Sequence, residues 1–314
     1  MSPTRKSTVD AEVIIVGAGL AGLSAAIYLA RARVDTLVIH GGRSMARWEP
    51  DVENYLGFPK GIPGDELLKR GKRQAQSFGA RFVRDQISAA RTRNHRFILR
   101  GRKIYHCRRL LLATGAFHVP PDIPGVQPCL GHSMFFCKDC DGFKVRDRRI
   151  AIYGWTNEAA EYALAMLAFS ADVTIVTDGR KPRWNGRHSR WLKQYGVACH
   201  TSTIQRILRR RSQILALVLK NQQKLTLDGL FTTRGDRFVN ELARGLNARL
   251  DKTGQIVVDG DMRTSVKGLY AAGCVTGANC QMIIAAGHGA IAAQAINREL
   301  FEQSLAENRL RKAP

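Results

Sequence analysis

The apolar positions of this chain gather into short dense runs separated by glycine and charge. Val13-Ile14-Ile15-Val16 is wholly apolar and β-branched, the pattern of a strand buried on both faces. Leu23 to Arg31 follows with helical periodicity, and Thr36 to His40 reads as a second strand. A similar order returns later: a strand over Arg149 to Tyr153, an amphipathic helix over Asn157 to Ala168, and a strand over Val173 to Val176. Val13 to Ala30 and Leu269 to Ile296 are nearly free of charge and about long enough to cross a bilayer. Both carry several glycines in a phosphate-loop pattern, so both read as buried strand–turn–helix units. Met1 to Asp10 is a polar, basic arm, expected to be mobile.

Composition narrows the partners. The 314 residues suffice for two domains with proper cores, and the 45% hydrophobic content is that of an ordinary globular protein. Lys and Arg number 49 against 26 Asp and Glu, a net charge of +23. Such a field attracts an acidic protein, a phosphate-bearing cofactor, nucleic acid or an anionic membrane surface. With no zinc-finger or aromatic RNP segment, no nucleic-acid partner is expected. The seven cysteines are irregularly spaced and no signal peptide is read before them. This predicts a reducing compartment, the cytoplasm, with one functional pair.

That pair is Cys137-Lys138-Asp139-Cys140. Two cysteines at this spacing can close a disulfide ring and reopen it by accepting two electrons. The alternatives are half a zinc site or idle thiols. A structural zinc needs four ligands, and no second CxxC or HxxxH lies at suitable spacing, so no metal is expected. Gly17-Ala18-Gly19-Leu20-Ala21-Gly22 is GxGxxG between a strand and a helix, the context it requires. The first glycine turns the chain, the second admits a pyrophosphate, the third packs helix on strand, and the helix N-terminus faces the phosphates. The second strand ends in His40-Gly41-Gly42 where a ribose-binding acid is usual. That is tolerable for FAD and removes the usual argument for NAD.

GxGxxG, then Glu53-Asn54-Tyr55-Leu56-Gly57-Phe58-Pro59, Ala113-Thr114-Gly115-Ala116, CxxC-Asp141-Gly142-Phe143, Gly268 to Gly273 and Ala285 to Gly289 run through nearly the whole chain in order. Together they resemble the bacterial-type thioredoxin reductases. The resemblance implies an α/β flavoprotein with two Rossmann-type dinucleotide-binding domains. FAD would be held by a discontinuous domain, 1–118 and 248–314. A NADPH-domain-like insertion, 119–247, would carry the CxxC, with junctions near Phe117–Pro121 and Asn247–Leu250. It assigns to FAD Gly17, Gly19, Leu20, Ala21, Gly22, His40, Gly41, Gly42, Asn54, Ile87, Ala113, Thr114, Gly115, Gly273, Cys274, Gln281, Met282 and Ile283. It implies that the CxxC docks against the flavin, Cys140 facing the ring and Cys137 a thioredoxin-like partner, in a homodimer. Asp141 would donate or accept the dithiol's proton, or merely cap a turn.

The sequence departs from that family where NADPH should bind. The second loop reads Gly154-Trp155-Thr156-Asn157-Glu158-Ala159. Thr156 replaces the middle glycine of GxGxxA, and Trp155 fills space beside it. Where the family has His-Arg-Arg for the 2′-phosphate, this chain has Thr177-Asp178-Gly179-Arg180. Asp178 would repel that phosphate, although it could accept a bond from a ribose hydroxyl. Arg180, Lys181 and Arg183 offer a shifted grip or a solvated basic loop. Ordinary NADPH use is therefore not expected. The flavin segment departs too, at Cys274, Cys280 and Met282. The two cysteines read as small buried thiols rather than as a second redox pair.

Two relatives that work without pyridine nucleotide are similar in this respect. One is the ferredoxin-dependent flavin thioredoxin reductase, whose acidic donor the basic surface would attract. The other is the diflavin-linked disulfide oxidoreductase, with a second FAD and electrons running from a dithiol to flavin. Arg31-Ala32-Arg33 and the altered segments favour the second. Basic runs at 69–73, 100–103, 146–149, 180–193 and 209–211 extend over both halves, so peripheral contact with an anionic membrane is also an expectation.

Overall fold

The structure is a computed structural model that describes residues 10–233, 235–277 and 279–310. Apart from Asp10, the N-terminal arm read as mobile lies outside the described residues. The first stretch contains β1 (Ala11–Val16), α1 (Leu20–Arg31), β2 (Thr36–His40), α2 (Gly64–Ser77), β3 (Arg81–Arg84), β4 (Ala89–Arg93), β5 (Arg96–Arg100) and β6 (Ile104–Leu112). The middle holds β7 (Ala116–His118), β8 (Met134–Phe135), α3 (Lys138–Asp141), β9 (Ile150–Tyr153), α4 (Asn157–Met166), β10 (Val173–Val176), α5 (Gly186–Gln194) and β11 (Ala198–His200). It continues with β12 (Ile204–Arg210), β13 (Gln213–Leu219), β14 (Lys224–Thr226), β15 (Gly229–Thr232) and β16 (Asp236–Phe238). The chain ends with α6 (Glu241–Gly245), β17 (Leu269–Ala271) and α7 (Met282–Ala306).

These elements form two compact units. One comprises residues 10–47, 55–117 and 238–310; the other Trp48–Asn54 and His118–Arg237. The return to the first unit falls at Arg237/Phe238, earlier than the junction expected near Asn247. The reason is α6: Leu242, Ala243 and Leu246 are buried among Ile87, Ala90 and Phe97 of the first unit.

In the first unit the sheet runs β3-β2-β1-β6-β5-β4, with β17 also on β6. β2 and β6 flank β1 in parallel, at Ile15↔Val38 and Ile15↔Leu111. Val13, Ile14 and Ile15 are fully buried, as expected for a central parallel strand. Each such side chain contributes roughly 1.5–3 kcal/mol of transfer free energy. The β4–β5 hairpin turns through Asn94 and His95, both at positive φ, the turn whose twist matches the strands. Helix α7 lies close against α1: a Cβ on Gly289 would stand 2.0 Å from the Ala21 carbonyl oxygen.

The second unit has a parallel sheet, β11-β10-β9-β15-β8, and an antiparallel meander, β12-β13-β14. Helix α4 turns Ala159, Ala160, Ala163 and Met166 onto this sheet. Both units are thus Rossmann-like, as the α/β expectation required. Among the described residues no helix is long and apolar enough to cross a membrane. Val13–Ala30 and Leu269–Ile296 are both strand–turn–helix segments.

Candidate active site

In the second unit Cys137 and Cys140 are joined as a disulfide across one short helical turn, their Cα atoms 5.3 Å apart. Cys137 stands at the N-cap of α3 with extended backbone, and the Cys140 amide donates to its sulfur at 3.2 Å. When the ring opens, that amide favours a thiolate at Cys137. Both cysteines are half-buried.

The residue after the pair is buried. Asp141 is 2% exposed, and its carboxylate accepts from Lys144 Nζ at 3.0 Å. The same ammonium donates to the Asp51 carbonyl at 3.0 Å and stands 4.0 Å from Glu49. Burial pushes the Asp141 carboxyl up, against the pull of Lys144. Burial, then the Asp141 charge, raises Glu49 from 4.5 to about 7. Burial works against the Lys144 charge, but Asp141 and Glu49 more than offset it and hold its pKa up. Two carboxyls thus share one cation, and burial raises the proton affinity of both. Asp141 was legible beside the CxxC; Glu49 and Lys144 were not, because only folding gathers them.

The first unit holds a phosphate cradle. Gly17 has φ +115°, and a Cβ there would meet the Ala113 carbonyl oxygen at 2.1 Å. On Gly22 it would meet the Gly17 carbonyl oxygen at 2.0 Å. Gly19 caps α1 with no side-chain acceptor, and no acid lies in the first turn, so the amides there suit an anion. His40, Gly41 and Gly42 end β2 beside a cleft of about 400 Å³ lined by Gly41, Arg84, Asp85, Gln86, Gly101 and Arg102. Burial, then Lys72, Arg84 and Arg47, lowers the His40 pKa, so the end of β2 is neutral in a cationic setting. Gly115, at φ +72°, has open space around its missing Cβ, while Thr114 donates to the Val239 carbonyl at 2.5 Å. Gln281 caps α7, and Leu20, Met282 and Ile283 lie in the first turns of their helices. These features fit FAD. Ile87 is buried in the core of this unit, and Asn54 belongs to the second unit.

The second glycine loop is arranged differently. The Arg180 guanidinium lies 4.1 Å from the Trp155 ring centroid. The Arg183 amide donates to the Trp155 carbonyl at 2.7 Å, and Thr156 pairs with Arg183 as an isolated bridge. Asp178, at φ +54°, accepts from Tyr153 Oη at 3.0 Å and from the Ile204 amide at 2.8 Å. The basic segment therefore lies on the loop itself.

Residues 11–294 match the family model described as pyridine nucleotide-disulphide oxidoreductase. The chain belongs to that family. Within it, the thioredoxin reductase of Treponema pallidum is 34% identical over 300 residues, 91% of this chain and 96% of that protein. The crystal structure of HlmI superimposes with a TM-score of 0.89 at 26% identity, covering 95% of each chain. That of thioredoxin reductase from Streptococcus pyogenes gives 0.88 at 24% identity over 93% of this chain and 98% of that one, a likeness of fold. This pyridine nucleotide-disulphide oxidoreductase is thus a flavin-dependent disulfide oxidoreductase of the thioredoxin-reductase type.

One expectation needs correction. Cys274 and Cys280 are not separate buried thiols. Both are half-buried and joined as a second disulfide, their Cα atoms 4.8 Å apart. A pair is the less favoured reading of this spacing, because the turn after β17 is what brings the two together. Cys107 and Cys129 are the buried free thiols, and burial pushes both up.

Proposed function

We propose that Cys137–Cys140 exchanges two electrons with a thioredoxin-like thiol protein, in company with FAD in the first glycine loop and without NADPH. The observation that carries this reading is Arg180 stacked on Trp155, over the loop where a pyrophosphate would lie. Asp178 supports it, since its carboxylate is already engaged by Tyr153 and Ile204. Dithiol oxidation is the favoured direction. A partner thiolate attacks one sulfur of the pair and forms a mixed disulfide. The partner's second thiol then displaces it, so the partner closes its own disulfide and the pair becomes two thiols. Cys137 is the sulfur suited to leave as thiolate, given the amide it accepts from. Asp141 and Glu49 take up or return the protons. FAD, when bound, supplies a two-electron store.

The net charge of +23 supports an acidic protein partner, a ferredoxin among the candidates, and equally an anionic membrane surface. Association with either should weaken steeply with salt. NADPH-driven thioredoxin reduction is a second reading, supported by the 34% identity with the Treponema enzyme. An anaerobic titration of the purified flavoprotein, first with NADPH and then with dithiothreitol, separates the two. Bleaching by the dithiol alone is expected; fast stoichiometric bleaching by NADPH would overturn the proposal. Flavin per chain in the same sample decides between one FAD and two, and sedimentation velocity tests the homodimer.

A further inference from the structure

The second disulfide joins the end of β17 to the start of α7 within the first unit. Cys274 follows Gly273 at the end of β17, and the next two residues, Val275 and Thr276, are buried. The Val275 carbonyl accepts from the Ile256 amide at 2.8 Å. The Thr276 carbonyl accepts from Gln255 Nε2 at 2.6 Å, and its hydroxyl donates to the Gly273 carbonyl at 2.8 Å. This side is fixed whether or not the sulfurs are joined. On the other side Gly277 and Asn279 are exposed, and Cys280 directly precedes Gln281, the N-cap of the 25-residue helix α7. The bond ties the start of α7, where Met282 also packs on Leu23, Ala46 and Leu68, to an anchored strand end. So short a ring removes less chain entropy than a long loop would, so the bond is a weak staple for the fold.

We propose that Cys274–Cys280 is a second thiol-exchanging disulfide, whose opening releases the first turn of α7 with Gln281, Met282 and Ile283. A dithiol thiolate attacks the Cys274 sulfur, and Cys280 leaves as thiolate. Cys280 is the better leaving group because it sits at the positive end of the α7 dipole. The dithiol's second thiol then displaces the mixed disulfide. The dithiol ends as a disulfide, and its two electrons and two protons end on Cys274 and Cys280. Cys274 and Cys280 are half-buried residues, unlike the fully buried Cys107 and Cys129.

The site is tested independently of Cys137–Cys140. The full-length flavoprotein and its Cys137→Ser/Cys140→Ser variant are treated anaerobically with dithiothreitol, alkylated and mapped by peptide mass. Cys274 and Cys280 should gain alkyl groups together in both proteins under native conditions, with Cys280 labelled first when alkylator is limiting. Hydrogen exchange at residues 282–285 should quicken on reduction, and Cys280→Ser should show that faster exchange without reductant. Labelling only after denaturation would overturn the proposal. So would two free thiols in the isolated protein, or exchange at 282–285 that is the same oxidised and reduced.

Discussion

The Arg180 guanidinium packs on the face of Trp155, in the glycine loop between β9 and α4, with its carbon 4.1 Å from the ring centroid. A partly exposed contact of this kind is worth about 0.5–1 kcal/mol, so removing it should leave the fold intact. On the proposal that NADPH leaves the native flavin unbleached, Trp155→Ser with Thr156→Gly should confer that bleaching. A double variant that NADPH still leaves unbleached would count against this loop as the barrier.

Replacing Cys140 with serine removes the resolving sulfur and leaves Cys137 with its amide donor. The variant should keep its flavin and lose nearly all dithiol-driven bleaching; mixed with an oxidised thioredoxin-like partner, its Cys137 thiolate should attack the partner's disulfide, release one partner thiol, and stay trapped in a mixed disulfide that mass spectrometry detects. Retained bleaching would remove Cys140 from the proposed role.

The acid pair beside the CxxC predicts a pH dependence. Glu49 and Asp141 both bind protons more tightly folded than unfolded. Their contribution is complete below the unfolded pKa and is lost as pH rises through the folded one. For Glu49 that window runs from 4.5 to about 7. Stability should fall across it, by at most about 1.4 kcal/mol per pH unit for one group. Glu49→Gln should flatten the slope in denaturant midpoints taken from pH 5 to 7; an unaltered slope would place the proton elsewhere.

Close helix packing gives a prediction free of the chemistry. Gly289→Ala would push a methyl to 2.0 Å from the Ala21 carbonyl and should cost about 1–3 kcal/mol in thermal unfolding. Gly287→Ala, where nothing lies within 4 Å, should be neutral or stabilising by up to about 1 kcal/mol. Equal effects would mean that α1 and α7 do not approach as closely as the structure has them.

Local chemistry announced itself in the chain. The buried strands, the GxGxxG turn and the CxxC depend on neighbours within a few residues, so their patterns survive in one dimension. The substitutions at Thr156 and Asp178 are likewise visible in the chain, because each is a single residue within a short motif. What folding alone decided involves partners far apart in the sequence. Glu49 and Lys144 meet around Asp141, Arg180 covers Trp155, and Leu242 draws α6 into the first unit. The bond between Cys274 and Cys280 belongs here as well, because sulfurs pair by the direction the backbone gives them and a six-residue spacing does not specify that direction.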